Sequence, residues 1–262
     1  MPMPVRPRLC LLCAIVALGL GAVPGYAGLK IFYLRHAESG GNVARQFETI
    51  PPDQRPPYVG NADTFSPLGW KQAAAVPDIL APYRIDFIAV SPLWRARNTI
   101  RPYLHLYART AEIWPELREF GNTGDRLAFL GRDDLPPPDP DFRANGPMLI
   151  LAGEDERLFR VRPDSPRQYD YLRGGAEGAA DLVESMKIVF ERIRREFGGT
   201  DSSILLVGHG TAGRHLLHAL TGEDAPLKLG LKNAALWLAE EQPDGTFHIT
   251  LANGEPITSD RH

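Results

Sequence analysis

Short runs of apolar residues alternate along the chain with longer segments of helical periodicity. Three runs lie at 31–34, 85–90 and 204–207, and only Asp86 interrupts them. Unbroken apolar runs of this length are typical of strands buried on both faces of a parallel sheet. The pattern therefore predicts an α/β fold in which helices cover a mostly parallel sheet.

Helix signals lie between these runs. Ser66 is a predicted N-cap for a helix over residues 67–80, whose first position is a proline. Pro77 lies inside this segment and predicts an early end or a kink. A second amphipathic segment at 182–197 keeps a period of 3.6 residues, and two glycines follow it as a terminator.

The remaining segments include two late strands and two irregular insertions. Residues 234–239 and 247–251 are predicted strands, and the second alternates as an edge strand does. The proline-rich segments 43–65 and 121–173 fit no regular pattern, and long irregular insertions are usually lids or binding loops, or else disordered. Because no repeat or long linker divides the chain, we predict one domain over residues 28–262.

The N-terminal segment has the features of a secretory signal peptide. Two arginines precede an apolar run over residues 9–20, and Gly25 and Ala27 suit a cleavage site. An uncleaved anchor is the alternative, although interrupting glycines and a proline disfavour it, because about 20 apolar residues are needed to span a bilayer. We therefore predict that residues 1–27 are removed, leaving a periplasmic or secreted protein without stable membrane association.

Charge and cysteine content exclude several function classes. The 262 residues carry a formal net charge of −3, which gives no reason to expect a nucleic-acid partner. Cys10 and Cys13 both lie in the predicted signal peptide. The mature chain would therefore contain neither a cysteine nucleophile nor a thiolate metal site. The sequence does not indicate an oligomeric state.

Basic side chains follow each of the three buried runs. Arg35 and His36 follow the first run, Arg95 lies just after the second, and His209 follows the third. In open α/β sheets the ligand crevice lies at the carboxyl ends of the strands, so we expect these side chains to converge. Arginine offers a rigid fork of donors that fits phosphate oxygens. Without a thiol or a metal motif, an imidazole is the expected nucleophile.

Five segments together resemble a known family. Leu-Arg-His-Ala-Glu-Ser-x-x-Asn at 34–42 is similar to the signature of the histidine phosphatase superfamily, in its phosphoglycerate-mutase-like branch. Further matches follow in order at 66–73, 91–99, 117–121 and 207–210. The resemblance implies a three-layer phosphoglycerate-mutase-like fold. It also implies a phosphomonoesterase that acts on a small phosphorylated substrate, without metal or cofactor, through a phosphohistidine intermediate.

The resemblance also implies a role for each matched polar residue. His36 would attack phosphorus, while Arg35, Arg95 and His209 would hold the phosphoryl oxygens. Asn42 would add a neutral donor.

A carboxylate is needed as the proton donor to the leaving group. Glu119 would give that proton and later withdraw one from the hydrolytic water. Glu116, three residues earlier, is the rival carboxylate, and only the register of the motif favours Glu119.

Other interpretations stay open at this point. Glycines within 208–213 follow a predicted strand in a dinucleotide-binding pattern, although little chain remains after them for a cofactor domain. A non-catalytic phosphate-binding module or a mutase-type phosphotransferase would use the same pocket, and export disfavours the mutase. His215 and His218 have metal-ligand spacing but no third ligand nearby. Arg97 and Arg101 either face solvent or reach a second anionic group.

Overall fold

An eight-stranded sheet forms the centre of the computed structural model, which describes residues 28–119, 154–162 and 175–257. The predicted signal peptide and most of the insertion at 121–173 lie outside the described residues. The strands are β1 (Lys30–Arg35), β2 (Phe87–Val90), β3 (Ala111–Ile113), β4 (Phe159–Val161), β5 (Ser203–Gly208), β6 (Leu236–Glu241), β7 (Phe247–Ala252) and β8 (Glu255–Pro256).

Helices cover both faces of this sheet. They are α1 (Gly40–Val43), α2 (Pro67–Leu80), α3 (Trp94–Leu106), α4 (Asp155–Leu158), α5 (Gly175–Phe197), α6 (Gly210–Thr221) and α7 (Ala225–Leu229). Alternate residues of β1 face opposite layers: Ile31 and Tyr33 pack with α5 and α6, whereas Phe32 and Leu34 pack with α2 and α3. The predicted three-layer α/β fold is confirmed.

The strand order brings the ends of β1, β2 and β5 to one edge. The sheet runs β4-β3-β2-β5-β1-β6-β7-β8, with parallel pairing from β4 to β1 and antiparallel pairing beyond β1. Arg35 lies in register with Gly208, and Val90 lies in register with Val207. The residues that follow these three strands therefore meet, as expected for carboxyl ends of parallel strands.

Helix α2 begins and ends where its sequence predicts, at Pro67 and Leu80. The Ser66 hydroxyl accepts a hydrogen bond from the amide of Gly69 at 3.0 Å, which satisfies one orphan donor of the first turn. Of the two effects expected of Pro77, an early end or a kink, the early end does not occur, because the helix continues to Leu80. Val76 and Leu80 are fully buried against the sheet, and this packing outweighs the one backbone hydrogen bond that a proline removes.

The first late strand starts two residues later than predicted. Ala234 has a φ of 53°, in the left-handed region, and so does not join the strand. Its amide donates to the carbonyl of Arg35 at 3.0 Å. This turn closes the chain over the end of β1 before β6 begins at Leu236.

The two predicted insertions contain short elements where the structure describes them. Residues 44–47 and 52–54 form 3₁₀ turns. Within the second insertion, residues 154–162 hold α4 and β4, and β4 pairs in parallel with β3. The sequence did not predict this edge strand, because it has only three residues and an arginine at its centre.

Two arginines of α3 anchor the second insertion. Arg97 forms an ion pair with Asp155, and Arg101 pairs with both Asp155 and Glu154, the latter at 2.9 Å. Both guanidinium groups also lie over the Phe159 ring. Arg97 and Arg101 therefore do not simply face solvent, because they contact carboxylates of the chain itself.

Within the described ranges, every helix is too short or too polar to cross a membrane.

Candidate active site

His36 is buried at the end of β1 with one ring nitrogen fixed by the backbone. Its Nδ1 lies 2.7 Å from the carbonyl oxygen of Ala37. Because a carbonyl only accepts, Nδ1 must carry the proton, and Nε2 keeps its lone pair. The Nε of Arg95 donates to Nε2 at 3.3 Å. Nε2, the nitrogen that could act as a nucleophile, therefore faces the guanidinium group of Arg95.

The surroundings of His36 keep this ring neutral. Burial lowers the pKa of His36 well below its ordinary value, and the positive charge of Arg95 lowers it further. The hydrogen bond to Ala37 opposes this shift only in part. A neutral imidazole with a free lone pair can attack phosphorus, whereas an imidazolium cannot.

His209 lies beside His36, with the two ring centroids 5.0 Å apart. The hydroxyl of Tyr33 accepts from the His209 amide at 2.8 Å and donates to the His209 carbonyl at 2.9 Å. Burial, followed by the charge of Arg95, lowers the pKa of His209 well below its ordinary value. Its Nδ1 is buried and has no hydrogen-bond partner in the part of the chain that the structure describes.

Arg35 extends beside the backbone that follows His209. Its Nη1 donates to the carbonyl of Leu231 at 2.5 Å, while its buried Nε has no partner among the described residues. A Cβ atom placed on Gly210 would lie 3.2 Å from the guanidinium carbon of Arg35, so this glycine permits a close approach. The predicted convergence of Arg35, His36, Arg95 and His209 is present in the structure.

Asn42 lies at the margin of this group on α1. It is exposed, and its Oδ1 accepts from the Ser39 amide at 3.0 Å and from Asn233 Nδ2 at 3.2 Å. The same Asn233 group donates to the carbonyl of His36 at 2.9 Å. The oxygen of Asn42 is therefore engaged, which leaves its amide nitrogen as the group that can serve as a donor.

The two candidate carboxylates occupy different environments. Glu116 is fully buried and accepts two hydrogen bonds from Arg192, at 2.6 and 3.1 Å. Glu119 is only partly buried and accepts from the Thr211 amide at 2.8 Å, at the start of α6. The charge of Glu119 also affects the pKa values of Arg35 and Tyr33. The structure thus brings Glu119 next to the pocket and holds Glu116 in a structural ion pair.

Three residues at the site were missed in the sequence. Tyr33 holds the backbone of His209, Asn233 contacts His36 and Asn42, and Ser91 lies 2.7 Å from Nε2 of His209 through its hydroxyl. The sequence pattern marks Tyr33 only as an apolar strand residue, and nothing in the sequence marks Asn233. Ser91 had a signal, because it opens the segment that also carries Arg95.

The glycines of the dinucleotide-like pattern have a packing explanation. A Cβ atom on Gly208 would collide with the hydroxyl of Tyr33, and one on Gly213 would collide with its ring. These glycines therefore make room for a side chain of the core, and they do not require a cofactor.

Among the described residues, the paired histidines of α6 have no further metal ligands grouped with them. His218 Nδ1 lies 3.0 Å from the carbonyl of Glu223, so this ring serves a local hydrogen bond. Across residues 28–119, 154–162 and 175–257, no three His, Cys, Asp or Glu side chains are grouped as metal ligands.

Comparisons with known proteins found one matching family model and several structures with the same fold. The sequence model of the histidine phosphatase superfamily (branch 1) matches residues 31–128. A comparison with curated protein sequences found no match.

Solved structures share the fold at low sequence identity. "Mycobacterial hydrolase 1" is 19% identical with a TM-score of 0.52, covering 86% of this chain and 97% of its own. The mycobacterial glucosyl-3-phosphoglycerate phosphatase is 18% identical with a TM-score of 0.52, covering 86% and 99%. A phosphoserine phosphatase mutant from Entamoeba histolytica is 18% identical with a TM-score of 0.50, covering 86% and 96%.

Proposed function

We propose that the protein is a histidine phosphatase and that it hydrolyses a small phosphate monoester through a phosphohistidine on His36. The match of residues 31–128 to the sequence model of the histidine phosphatase superfamily (branch 1) supports a phosphatase-type activity. One observation carries the finer proposal: two buried nitrogens without partners in the described chain, Arg35 Nε and His209 Nδ1, lie near a neutral imidazole whose Nε2 keeps its lone pair. Such a set fits a phosphoryl dianion and its nucleophile.

In the first step, the Nε2 lone pair of His36 attacks phosphorus, and the bond from phosphorus to the ester oxygen breaks. Arg35, Arg95 and His209 hold the three remaining oxygens while their charge shifts. Glu119, protonated in the substrate complex, gives its proton to the leaving alkoxide. The products of this step are an alcohol and a phosphohistidine.

In the second step, water attacks the phosphohistidine. Glu119, now a carboxylate, accepts a proton from that water, and the phosphorus–nitrogen bond breaks. Inorganic phosphate leaves, and Nε2 of His36 regains its lone pair. Nδ1 stays hydrogen-bonded to the carbonyl of Ala37 throughout. Each step uses only side chains of the protein, so we propose that the reaction is independent of metal ions.

We also propose that the protein acts outside the cytoplasm, in the periplasm or as a secreted protein. The charged start, apolar run and small-residue end of residues 1–27 support this proposal.

Trapping the intermediate tests the reaction. Rapid quenching with a ³²P-labelled aryl phosphate, in buffer containing EDTA, should give a labelled protein whose phosphate is labile in acid and stable in alkali, as expected of a phosphoramidate. The label should then be released as inorganic phosphate and should not be transferred to an added alcohol. The reverse stability would identify an acyl phosphate or an ester, and loss of labelling in EDTA would contradict metal independence.

The pH dependence of the two histidines follows from their burial. We expect NMR titration to show both rings neutral well below pH 6.5, their ordinary pKa. Since the unfolded chain takes up protons near that pH and the folded chain does not, the free energy of unfolding should fall as the pH drops below 6.5. Arg95→Gln removes a positive charge and should raise the pKa of His36. An unchanged pKa in that variant would contradict the electrostatic explanation.

A further inference from the structure

Ser91 links two strand ends within the candidate site. It is the first residue after β2 and is fully buried. Its amide donates to the carbonyl of Val207 at 2.9 Å, which ties it to β5 two residues before His209. Its hydroxyl oxygen lies 2.7 Å from Nε2 of His209 and accepts from the Leu93 amide at 3.3 Å. The position of the hydroxyl is thus set by both strands.

The hydrogen-bond inventory of this hydroxyl decides the direction of its bond to His209. A serine hydroxyl has one proton to donate and two lone pairs to accept with. The Leu93 amide uses one lone pair, and Nε2 of His209 is the only acceptor that the described residues offer to the proton. If Nε2 carried the ring proton, the buried hydroxyl would have no acceptor, which is costly. Ser91 therefore donates, and Nε2 accepts.

This direction determines which nitrogen of His209 carries the proton. A neutral imidazole has one protonated and one unprotonated nitrogen, and the hydrogen bond at one nitrogen fixes the state of the other. With Nε2 accepting from Ser91, the proton of His209 lies on Nδ1. That atom is the buried nitrogen without a partner in the described chain, and the positive charges of Arg95 and Arg35 act on the same ring.

We propose that Ser91 is a positioning residue that selects the Nδ1–H tautomer of His209, so that a neutral imidazole donates to the phosphoryl group. The inference rests on the proposed function, which identifies a phosphoryl oxygen as the acceptor of the Nδ1–H group. Both histidines then carry the proton on Nδ1 but present opposite atoms to the pocket. His36 offers the lone pair of Nε2, and His209 offers the N–H of Nδ1. In the other tautomer, a lone pair of His209 would face a phosphate oxygen and repel it.

The tautomer can be read directly in the unliganded protein. ¹⁵N NMR of the histidine rings should show His209 protonated on Nδ1 in the wild type and shifted toward Nε2 protonation in Ser91→Ala. A wild-type His209 protonated on Nε2 would overturn the proposal, even if no variant folds. So would a Ser91→Ala ring that keeps the wild-type tautomer. Neither measurement depends on turnover.

Kinetics then tests the consequence of the tautomer. Ser91→Ala should lower kcat/KM and the affinity for vanadate roughly tenfold to a hundredfold, as expected when a hydrogen bond to a charged group is lost. Ser91→Thr keeps the hydroxyl and should recover most of the loss. Ser203→Ala, at a buried serine at the start of β5, is the matched control and should resemble the wild type.

The two proposals fail in different ways. A wild-type protein that forms no phosphoenzyme would refute the proposed function and leave the ring assignment standing. Normal phosphoenzyme formation with equal kinetics in wild type and Ser91→Ala would refute the role of Ser91 alone.

Discussion

The His36→Ala variant is expected to form no phosphoenzyme and to lose kcat/KM by about a thousandfold or more, the order of loss seen when a covalent nucleophile is removed. The reason is geometric and electrostatic. His36 combines a buried neutral ring, a proton fixed on Nδ1 by Ala37, and a lone pair on Nε2 that faces Arg95. In the proposed tautomer His209 presents a protonated Nδ1 to the phosphoryl group and no lone pair, so we do not expect it to replace His36 as the nucleophile. Quench-flow labelling with a chromogenic aryl phosphate measures both quantities.

Binding separates this loss from a collapse of the pocket. Arg35, Arg95 and His209 remain in His36→Ala, so calorimetry should still detect binding of inorganic phosphate. His215→Ala on α6 is the matched control and should label normally, since that ring lies outside the predicted set of phosphate contacts. Labelling of His36→Ala near the wild-type level would move the nucleophile to another residue.

Glu119→Gln should slow esters with poor leaving groups by about a hundredfold to ten-thousandfold and should affect activated aryl phosphates far less. An alkoxide needs a proton as it leaves, whereas a stabilised phenolate does not. Glutamine preserves the size of the side chain and can still accept from the Thr211 amide through its carbonyl oxygen. The variant should therefore keep wild-type stability. Kinetics on a series of esters with graded leaving-group pKa measures the effect.

Glu116→Gln supplies the contrasting result. Arg192 would lose the carboxylate that pairs with it and would remain as a buried charge, which typically costs about 3–5 kcal/mol of unfolding free energy. Urea denaturation should detect this loss of stability. Any loss of activity should be the same for esters with poor leaving groups and for activated aryl phosphates. If instead Glu116→Gln gave the leaving-group dependence and Glu119→Gln did not, the proton donor would be Glu116.

The sequence predicted the fold and the convergence of basic residues because both depend on strong local signals. Strands buried on both faces are continuous apolar runs in the sequence. The residues that follow parallel strands meet at one edge of the sheet, whatever the length or sequence of the loops. The sequence alone therefore indicates that Arg35, His36, Arg95 and His209 lie together. Their individual roles stay predictions until the variants are measured.

What the sequence could not give depends on distant partners. The choice between Glu116 and Glu119 turns on Arg192, which lies on α5, 76 positions after Glu116. The roles of Tyr33 and Ser91 depend on His209, at separations of 176 and 118 residues. The edge strand β4 owes its place to pairing with β3, which no pattern within its three residues could announce.

The two hydrogen bonds between the Tyr33 hydroxyl and the His209 backbone make the candidate site sensitive to substitutions in the core. Tyr33 belongs to the apolar layer under α5 and α6, yet its hydroxyl holds both backbone groups of His209. Any enlargement of Gly213 pushes on that phenol ring and, through it, on the imidazole. Replacing Gly213 with alanine would consequently destabilise α6, whatever alanine adds in helix propensity, because the new methyl group would lie 2.3 Å from the Tyr33 ring. We expect turnover to fall as well, since the displaced ring holds the backbone of His209.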